Sequence, residues 1–410
     1  MLESLLVANR GEIARRIIAT ANGMGIRTIA VYSEADEGLP FVREAEESVL
    51  LGPAAPAESY LNVEAVLAAA QQTGAAAIHP GYGFLSENAD FAQAVTDAGL
   101  LWVGPSPDAM RAMGDKIAAR NRMAAAGVPV APGTPDPVPD VDAALAAAKE
   151  IGYPVMVKAA AGGGGIGMSA AFDDEELASA FETARTRAER FFSHPAILLE
   201  KYVPSARHIE VQILGLADGT VVALGERDCS VQRRHQKVAE ESPSPAVTPE
   251  IRTAILDAAV KAGEAVDYRN AGTVEMLFDT STGDAWFLEM NTRLQVEHPV
   301  TEAVTGLDLV AEQLRIASGE APSFDPASPP TARGHAIELR VYAEDPKRFL
   351  PGPGEITEWV QPTGDGVRVD AGYEAGNKVT PFYDPLLAKL IVHGADRANA
   401  PTKARPDVEY

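Results

Sequence analysis

The sequence has 410 residues, of which 46% are hydrophobic and 23% charged, so the chain carries enough apolar material for a large buried core. Its 35 Lys and Arg against 58 Asp and Glu give a net charge of −23, which disfavours partners such as nucleic acids and anionic membranes. The single cysteine, Cys229, excludes an intrachain disulfide, and neither a secretion signal nor a membrane-spanning apolar run is apparent. We therefore expect a cytoplasmic protein with several domains.

Short β-branched runs alternate with amphipathic helical segments through residues 1–113. The runs SLLVA, IRTIAVY and AAIHPG are separated by GEIARRIIATANGMG and NVEAVLAAAQQTG. This alternation indicates βαβ units around a parallel sheet, with ligands at the carboxyl ends of the strands. We predict an N-terminal α/β domain over residues 1–113 and a connecting helix over residues 114–130.

The proline-rich segment APGTPDPVPD then marks a boundary, because proline breaks both helices and sheets. After it, the pattern predicts a helix, a strand, a glycine loop (Gly162–Gly167), a second helix and a second strand. We predict that residues 131–204 form a small lobe, tethered at both ends, that closes as a lid. From residue 205 to residue 410, strands in hairpins with helices between them predict an antiparallel C-terminal domain.

The glycine run GGGGIG has the spacing of a dinucleotide fingerprint but not its context. MSAAFDD follows it as strand and turn, and Met168 stands where a P-loop needs lysine. Glycine N–H groups in a loop between two strands can instead cover a triphosphate, towards which Lys158 on the entering strand would point. A plain flexible turn is the alternative.

The hairpin GTVEMLFDTSTGDAWFLEMNTR contains a candidate metal site. A turn centred near Thr282 places Glu275 opposite Glu289, and two adjacent carboxylates need a neutralising cation. Asn291 falls on the same face and adds an oxygen, a set that suits Mg²⁺ bridging nucleotide phosphates. An exposed sheet face with two solvated glutamates is the alternative.

Three further polar residues continue the odd-numbered pattern. Arg293, Gln295 and Glu297 line the same surface if the chain stays extended up to Pro299. Arg293 offers a fork to a small planar anion, Gln295 a hydrogen-bond donor, and Glu297 a general base. An ordinary salt-bridged edge explains these charges equally well.

The segment RDCSVQRRHQK is locally basic in an acidic chain. Its Arg227, Arg233, Arg234 and Lys237 would concentrate phosphate or bicarbonate near a metal site, or form a solvated turn. Cys229 is predicted to be a packed residue and not a nucleophile.

Taken together, these residues match a known family. The chain resembles the biotin carboxylase component of acyl-CoA carboxylases, within the ATP-grasp superfamily. The phrases that carry the resemblance are VANRGEIARRII, IHPGYGFLSENADFA, MGDKIAAR, KAAAGGGG, ERDCSVQRRHQKVAEESP, FLEMNTRLQVEHPVTE, GHAIELRVYAEDP and YDPLLAKLIV. They span about residues 1–395, and the resemblance implies a multidomain α/β and α+β fold: an ATP-grasp with an N-terminal parallel-sheet domain, a glycine-loop lid and a C-terminal antiparallel domain.

The resemblance also implies roles by position. The implied ATP contacts are Lys116, Lys158, Gly163, Gly164, Gly165, Glu200, Lys201, Val203, His208, Gln232, His235, Glu275 and Glu289. The implied metal ligands, for Mg²⁺ or Mn²⁺, are Glu275, Glu289 and Asn291, and the implied bicarbonate pocket is Lys237, Arg293, Gln295 and Val296. Glu297 is the implied base, and Arg340 steadies the biotin enolate, with Lys237 and Arg293 also catalytic.

The implied activity is carboxylation of biotin by ATP and bicarbonate through carboxyphosphate, the first half-reaction of an acyl-CoA carboxylase. The sequence contains no Met-Lys-Met biotinylation site, so we expect a separate biotin carboxyl carrier, a carboxyltransferase subunit and, from the family, a homodimer.

Two departures from the family pattern leave other functions open. Ile166 stands where members carry Arg or Lys, and after about Asn399 the pattern stops, which predicts a shortened C-terminal domain. Another ATP-grasp carboxylate-activating ligase and a nucleotide-binding scaffold without turnover are the alternatives.

Overall fold

The structure is a computed structural model that describes residues 2–159, 168–192, 196–234 and 236–404. The predicted glycine loop Gly162–Gly167 with Ile166, and also His235, lie outside the described residues.

The N-terminal part is a parallel sheet with helices around it. Its elements are β1 (Ser4–Val7), α1 (Gly11–Gly23), β2 (Arg27–Ser33), α2 (Pro40–Glu44), β3 (Glu47–Gly52), α3 (Val63–Thr73), β4 (Ala77–His79), α4 (Ala89–Asp97) and β5 (Leu101–Trp102). The strand order is β3-β2-β1-β4-β5. In α1, Ile13, Ile17 and Ile18 recur at helical spacing and are buried, which explains why this segment is an amphipathic helix. The predicted parallel sheet is confirmed.

Two helices, α5 (Pro107–Gly114) and α6 (Lys116–Ala125), lead away from this sheet. They are separated at Asp115, whose carboxylate accepts hydrogen bonds from the backbone N–H groups of Ile117 and Ala118. This side chain caps the second helix, so a new helix begins there and Lys116 stands in its first turn.

A small lobe follows. It consists of α7 (Val141–Ile151), β6 (Val155–Ala159), β7 (Met168–Ala171), α8 (Asp174–Phe192) and β8 (Ile197–Lys201), with the antiparallel strand order β7-β6-β8. Both helices pack on one face of this sheet, around Val157, Phe181 and Leu199. The lobe therefore has a hydrophobic core of its own.

The remaining part is built on an eight-stranded antiparallel sheet. Its elements are β9 (Ala206–Gly215), β10 (Val221–Arg233), β11 (Gln236–Ser242), α9 (Pro249–Glu264), β12 (Asn270–Asp279), β13 (Ala285–Asn291), α10 (His298–Thr305), α11 (Leu309–Ala317), β14 (His335–Tyr342), β15 (Gly354–Glu355), β16 (Val367–Ala371), β17 (Lys378–Val379) and β18 (Leu386–Gly394). The strand order is β13-β12-β9-β10-β11-β14-β18-β16, and β15 pairs separately with β17.

One hydrophobic core joins the N-terminal part to the large sheet. Ile13 and Ile17 of α1 belong to the same buried cluster as Leu214 of β9, Leu314 of α11 and Tyr373. This shared core fixes the strand ends of the parallel sheet beside the large antiparallel sheet. None of the helices in the described residues is long and apolar enough to cross a lipid bilayer.

Candidate active site

All the described residues with an implied role line a single cleft of about 1190 Å³. They are Lys116, Lys158, Glu200, Lys201, Val203, His208, Gln232, Lys237, Glu275, Glu289, Asn291, Arg293, Gln295, Val296, Glu297 and Arg340. The cleft lies between the small lobe, the large sheet and the strand ends of the N-terminal part. The Cys229 thiol is fully buried, and burial raises its pKa well above the usual value, as expected for a packed residue.

The β12–β13 hairpin places Glu275 directly opposite Glu289. The register nearer the turn differs by one residue, because Met276 pairs with Phe287 and Leu288 is an extra residue in β13. This β-bulge restores the predicted pairing, so the two carboxylates share one face.

Glu275 is the buried member of the pair, and polar groups surround it. Its Oε1 accepts hydrogen bonds from Lys237 Nζ at 3.0 Å and Asn291 Nδ2 at 2.8 Å, and its Oε2 lies 3.0 Å from His208 Nε2. Burial opposes ionisation of Glu275, but Lys237 and His208 outweigh burial and lower its pKa to about 2. Glu289, on the open side, has its Oε2 3.0 Å from Lys116 Nζ.

Lys237 is the electrostatic centre of the site. Its ammonium donates to Glu210 at 2.6 Å, to Glu275 at 3.0 Å and to Glu297 at 2.7 Å. Burial disfavours a charged lysine, but Glu210 and Glu297 more than compensate and raise its pKa well above the usual value. One cation therefore joins the candidate metal ligand to the candidate base.

Both oxygens of Glu297 are held by cations. Oε1 accepts from Lys237, and Oε2 accepts from Arg340 Nη2 at 3.0 Å. Although burial opposes ionisation, Lys237 and Arg340 hold the pKa of this fully buried carboxyl well below its usual range. Glu297 is thus ionised at neutral pH.

The prediction that Arg293, Gln295 and Glu297 form an extended row is wrong. Strand β13 ends at Asn291, and Glu297 is the residue that precedes α10, with φ −83° and ψ 11°. Pro299 lies in the first turn of α10, where proline is favoured, so it begins a helix and does not end a strand.

These side chains nevertheless converge through the bend between β13 and α10. Arg293 Nη1 donates to Gln295 Oε1 at 2.6 Å, and Gln295 Nε2 donates to Glu275 Oε1 at 3.3 Å. Arg293 Nε also donates to Glu87 Oε2 at 2.8 Å. The N-terminal part therefore holds this guanidinium from the other side of the cleft.

The donor set at the hairpin fits a hard divalent cation. Glu275 and Glu289 offer carboxylate oxygens and Asn291 offers an amide oxygen, the ligand atoms that Mg²⁺ prefers, and both carboxylates already attract cationic side chains. Two other groupings of metal-binding side chains, His208 with Glu210 and Glu275, and Glu210 with Cys229 and Glu297, surround the ammonium of Lys237. That ammonium supplies the positive charge there, so the paired hairpin glutamates are the better candidate for a metal site.

The lobe contributes the other end of the cleft. Lys158 on β6 forms an ion pair with Glu200 on the neighbouring strand β8. Lys201 donates instead to the backbone carbonyls of Gly152 and Tyr153, at 2.9 Å each, and so ties β8 to the end of α7. Val203 is buried where the chain leaves the lobe.

The locally basic segment does not act as one anion-attracting cluster. Arg227 is fully buried and donates to Glu210 at 2.5 Å, and Arg233 pairs with Glu344 and lies over the ring of Phe349. Of the cluster, only Lys237 reaches the centre of the cleft.

The residues that the N-terminal part brings to the cleft were not predicted from the sequence. Tyr82 and Gly83 line it, at the end of strand β4. Asn9 Nδ2 donates to the carbonyls of Pro80 at 2.7 Å and Tyr82 at 2.8 Å, and a Cβ on Gly81 would come within 2.9 Å of this nitrogen. These residues could have been predicted from the phrase HPGYG, because it lies at the end of a parallel strand, where ligands bind.

Comparisons with known proteins agree with this arrangement. Residues 1–110 match the family model "Biotin carboxylase, N-terminal domain", residues 115–323 match "Carbamoyl-phosphate synthase L chain, ATP binding domain", and residues 338–408 match "Biotin carboxylase C-terminal domain". The likeness thus extends beyond Asn399, where the sequence analysis placed its end.

Individual relatives cover nearly the whole chain. Biotin carboxylase 2 of Bacillus subtilis is 52% identical over 98% of this chain and 90% of its own length. A biotin carboxylase complex with β,γ-ATP from Campylobacter jejuni has a TM-score of 0.92 at 44% identity, covering 98% of this chain and 90% of its own.

A third relative was solved with more of the reactants. The biotin carboxylase domain dimer of Hydrogenobacter thermophilus 2-oxoglutarate carboxylase, with MgADP, ADP and bicarbonate, has a TM-score of 0.88 at 45% identity, over 97% of this chain and 87% of its own. The identity, the coverage and the shared fold lead to one conclusion: this chain belongs to the biotin carboxylase family and has its ATP-grasp fold.

Proposed function

We propose that this chain uses MgATP and bicarbonate to carboxylate biotin on a separate carrier protein, as the first half-reaction of an acyl-CoA carboxylase or a related carboxylase. The observation that carries this proposal is the bridge formed by Lys237, whose ammonium bonds Glu275 and Glu297 at once. A metal and nucleotide bound at Glu275 would thereby lie close to the proposed base, as carboxyphosphate synthesis requires.

In the proposed reaction, Glu297 takes the proton of bicarbonate, and the resulting anion attacks the γ-phosphate of ATP to give carboxyphosphate and ADP. Carboxyphosphate breaks down to CO₂ and phosphate, and the phosphate removes the N1 proton of biotin. The biotin enolate, steadied by Arg340, then captures CO₂. When bound by Glu275, Glu289 and Asn291, Mg²⁺ would neutralise phosphate charge during transfer.

The surroundings of Glu297 suggest how its substrate activates it. In the resting site, two cations hold the pKa of this carboxyl very low, and so strongly stabilised a carboxylate is a weak base. Bicarbonate bound by Lys237 and Arg293 would share their positive charge. The pKa of Glu297 would then rise at the moment when a base is needed.

The lobe serves this chemistry by closing over the nucleotide. Lys158 and Glu200 lie on adjacent lobe strands and line the cleft, so the lobe would carry its nucleotide contacts with it when it moves. Closure would exclude the water that destroys carboxyphosphate.

A carboxylate-activating ligase of another kind is the second candidate. It is favoured by the match of residues 115–323 to an ATP-binding domain named for carbamoyl-phosphate synthase. The biotin carboxylase models on both sides of that segment favour biotin as the acceptor.

We also propose a carrier in trans, a carboxyltransferase partner, a homodimer and a cytoplasmic location. The one cysteine is free and buried, which fits a reducing compartment such as the cytoplasm. The Hydrogenobacter relative is a domain dimer, which supports self-association of this chain.

The substitution Glu297→Gln tests the role of the base. General-base catalysis contributes roughly 10²–10⁴-fold, so we expect a loss of that order in bicarbonate-dependent ATP hydrolysis. ATP affinity, measured by calorimetry, should stay within about threefold, because Glu297 holds no implied nucleotide contact.

Glu302→Gln is the matched control for this substitution. Glu302 is also a buried carboxylate and lies within α10, but it bonds Arg16 and Arg368 and not Lys237. The control should keep its bicarbonate dependence. Loss of ATP binding in Glu297→Gln, or turnover equal to that of the control, would contradict the assigned role.

A further inference from the structure

A second pair of carboxylates lies behind Arg340. Glu240 on β11 is directly opposite Glu338 on β14, and both are buried, with 1% and 0% of their surface exposed. Directly opposed residues share a face of the sheet, with Cβ atoms about 4.5–5.5 Å apart. Arg340 lies two residues beyond Glu338 on the same strand, so its side chain leaves the same face.

The hydrogen bonds of this pair are incomplete. Arg340 Nε donates to Glu240 Oε1 at 2.7 Å. Within the described part of the chain, Glu240 Oε2 and both oxygens of Glu338 have no hydrogen-bond partner, although all are buried. Buried acceptors without donors are costly, so a donor between the two carboxyl groups would stabilise this cluster.

The cations near the pair are shared with other acceptors. Arg340 also binds Glu297, at 3.0 Å. Lys389 on β18, directly opposite Arg340, donates to the carbonyl of Val296 at 2.9 Å and lies 3.1 Å from Glu12 Oε2. Lys237 is bound by its own three carboxylates. Arg340 and Lys389 attract the pair, but each also serves another carboxylate, and burial outweighs them at Glu338.

A proton on one carboxyl satisfies both requirements. A protonated carboxyl is a hydrogen-bond donor, and its formation removes one of two adjacent buried negative charges. Glu338 is the more suitable of the two to hold the proton, because Glu240 already accepts a hydrogen bond from Arg340. In agreement, burial raises the pKa of Glu338 well above its usual value and the pKa of Glu240 to about 7.

We propose that Glu338 holds a proton that it donates to Glu240 Oε2, and that Glu240, thus left as a single anchored carboxylate, orients Arg340 towards Glu297. Glu338 is therefore a positioning residue, acting through Glu240. The functional part of this inference rests on the proposed role of Arg340 at the biotin enolate, whereas the buried proton does not.

The inference predicts a specific response to pH. As the pH rises, Glu338 releases its proton to water, and two adjacent anions then attract Arg340. The guanidinium is drawn away from Glu297 and from the site of the enolate. Biotin-dependent turnover should fall on the alkaline side, with the Michaelis constant for biotin rising.

Infrared difference spectroscopy on the full chain tests the proton without reference to activity. At pH 7, the wild type minus Glu338→Gln difference should contain the C=O stretch of a protonated carboxyl, and this band should disappear at high pH. The control is Glu241→Gln, which alters the residue next to Glu240 on β11; Glu241 bonds Arg397 and His335. The spectrum of this variant should keep the band of the protonated carboxyl. A difference spectrum without the band would overturn the inference.

The kinetic test compares two substitutions of Glu338 with free biotin as the acceptor. Glu338→Gln keeps a donor that cannot ionise, so it should retain near wild-type turnover at pH 7 and lose the alkaline decline. Glu338→Ala removes the donor and should lower kcat/KM for biotin roughly tenfold, with little change in the Michaelis constant for ATP.

If the biotin-dependent turnover of Glu338→Gln fell at alkaline pH as much as that of the wild type, the positioning role of Glu338 would be wrong. Equal losses in the Gln and Ala variants would do the same. If the wild type shows no biotin-dependent turnover, the proposed function fails, and the infrared result still decides whether the proton exists.

Discussion

Arg227 shows how strongly the surroundings determine what a charged side chain does. Its guanidinium is fully buried and donates to Glu210, Gln212, Thr301 and Thr273, at distances of 2.5 to 3.0 Å. A buried arginine with this many partners cannot bind a substrate anion as well. Its effect on the site is indirect, because it positions Glu210, which in turn holds Lys237.

Removal of Arg227 should therefore act mainly on stability. We expect Arg227→Ala to lower the free energy of unfolding by about 3–5 kcal/mol, because the buried charge of Glu210 loses a partner. Arg397→Ala is the comparison, since Arg397 is 59% exposed and pairs with Glu241 at the surface. Arg397→Ala should lower the free energy of unfolding by no more than about 1 kcal/mol.

Urea denaturation of both variants measures this difference. Similar midpoints for the two would mean that Arg227 does not compensate a buried charge.

The β12–β13 hairpin shows what could be predicted at the scale of an element. Alternation and turn residues indicated a hairpin and brought Glu275 opposite Glu289. The bulge at Leu288 could not be predicted from the sequence. The turn is centred half a residue earlier than assumed, and the extra residue Leu288 cancels this offset, so Glu275 still pairs with Glu289. The register of a strand is decided by which face is buried, and a local pattern reports this only approximately.

The segment after β13 shows the opposite case. Alternating polar residues predicted a continued strand, but Pro299 is equally favoured in the first turn of a helix, and the chain begins α10 there. The motifs singled out residues that line one cleft, whereas the geometry that brings them together depends on tertiary packing. The same limit explains why Tyr82 and Glu240 were not singled out.

The lobe should behave as a cooperative unit, because its core is separate from the others. Phe181 on α8 is 1% exposed in that core, and truncation of a buried phenylalanine costs about 3–5 kcal/mol. We expect Phe181→Ala to accelerate amide hydrogen exchange in β6, β7 and β8 while β9 to β12 stay protected. Phe278 lies in the core beneath the large sheet, so Phe278→Ala should accelerate exchange in β9 to β12 and leave β6, β7 and β8 protected. Exchange that rises equally everywhere in Phe181→Ala would argue against an independent lobe.

At the scale of the whole molecule, the cleft depends on parts that are far apart in the sequence. The N-terminal helix α1 shares a core with α11 and Tyr373, and Arg10 of the N-terminal part bonds Tyr373 directly, at 2.9 Å. Element types and the order of parallel and antiparallel regions could be predicted from the sequence. The common core could not, because it consists of contacts between segments hundreds of residues apart.

Charge at this scale also fits the proposed substrates. The chain carries −23 overall, yet the lining of the cleft has eight Lys and Arg side chains against six Asp and Glu. ATP and bicarbonate are both anions, so the cleft offers them a local positive site on a molecule that otherwise repels anions.

Carboxybiotin formation tests the proposed reaction most directly. The purified chain is incubated with MgATP, isotopically labelled bicarbonate and free biotin, and label in carboxybiotin is measured together with ADP. We expect label in biotin only when all three reactants are present, with ADP formed in equal amount and both products lost in Glu297→Gln. ADP released at an unchanged rate without biotin or bicarbonate, and no label in biotin, would contradict the proposed reaction.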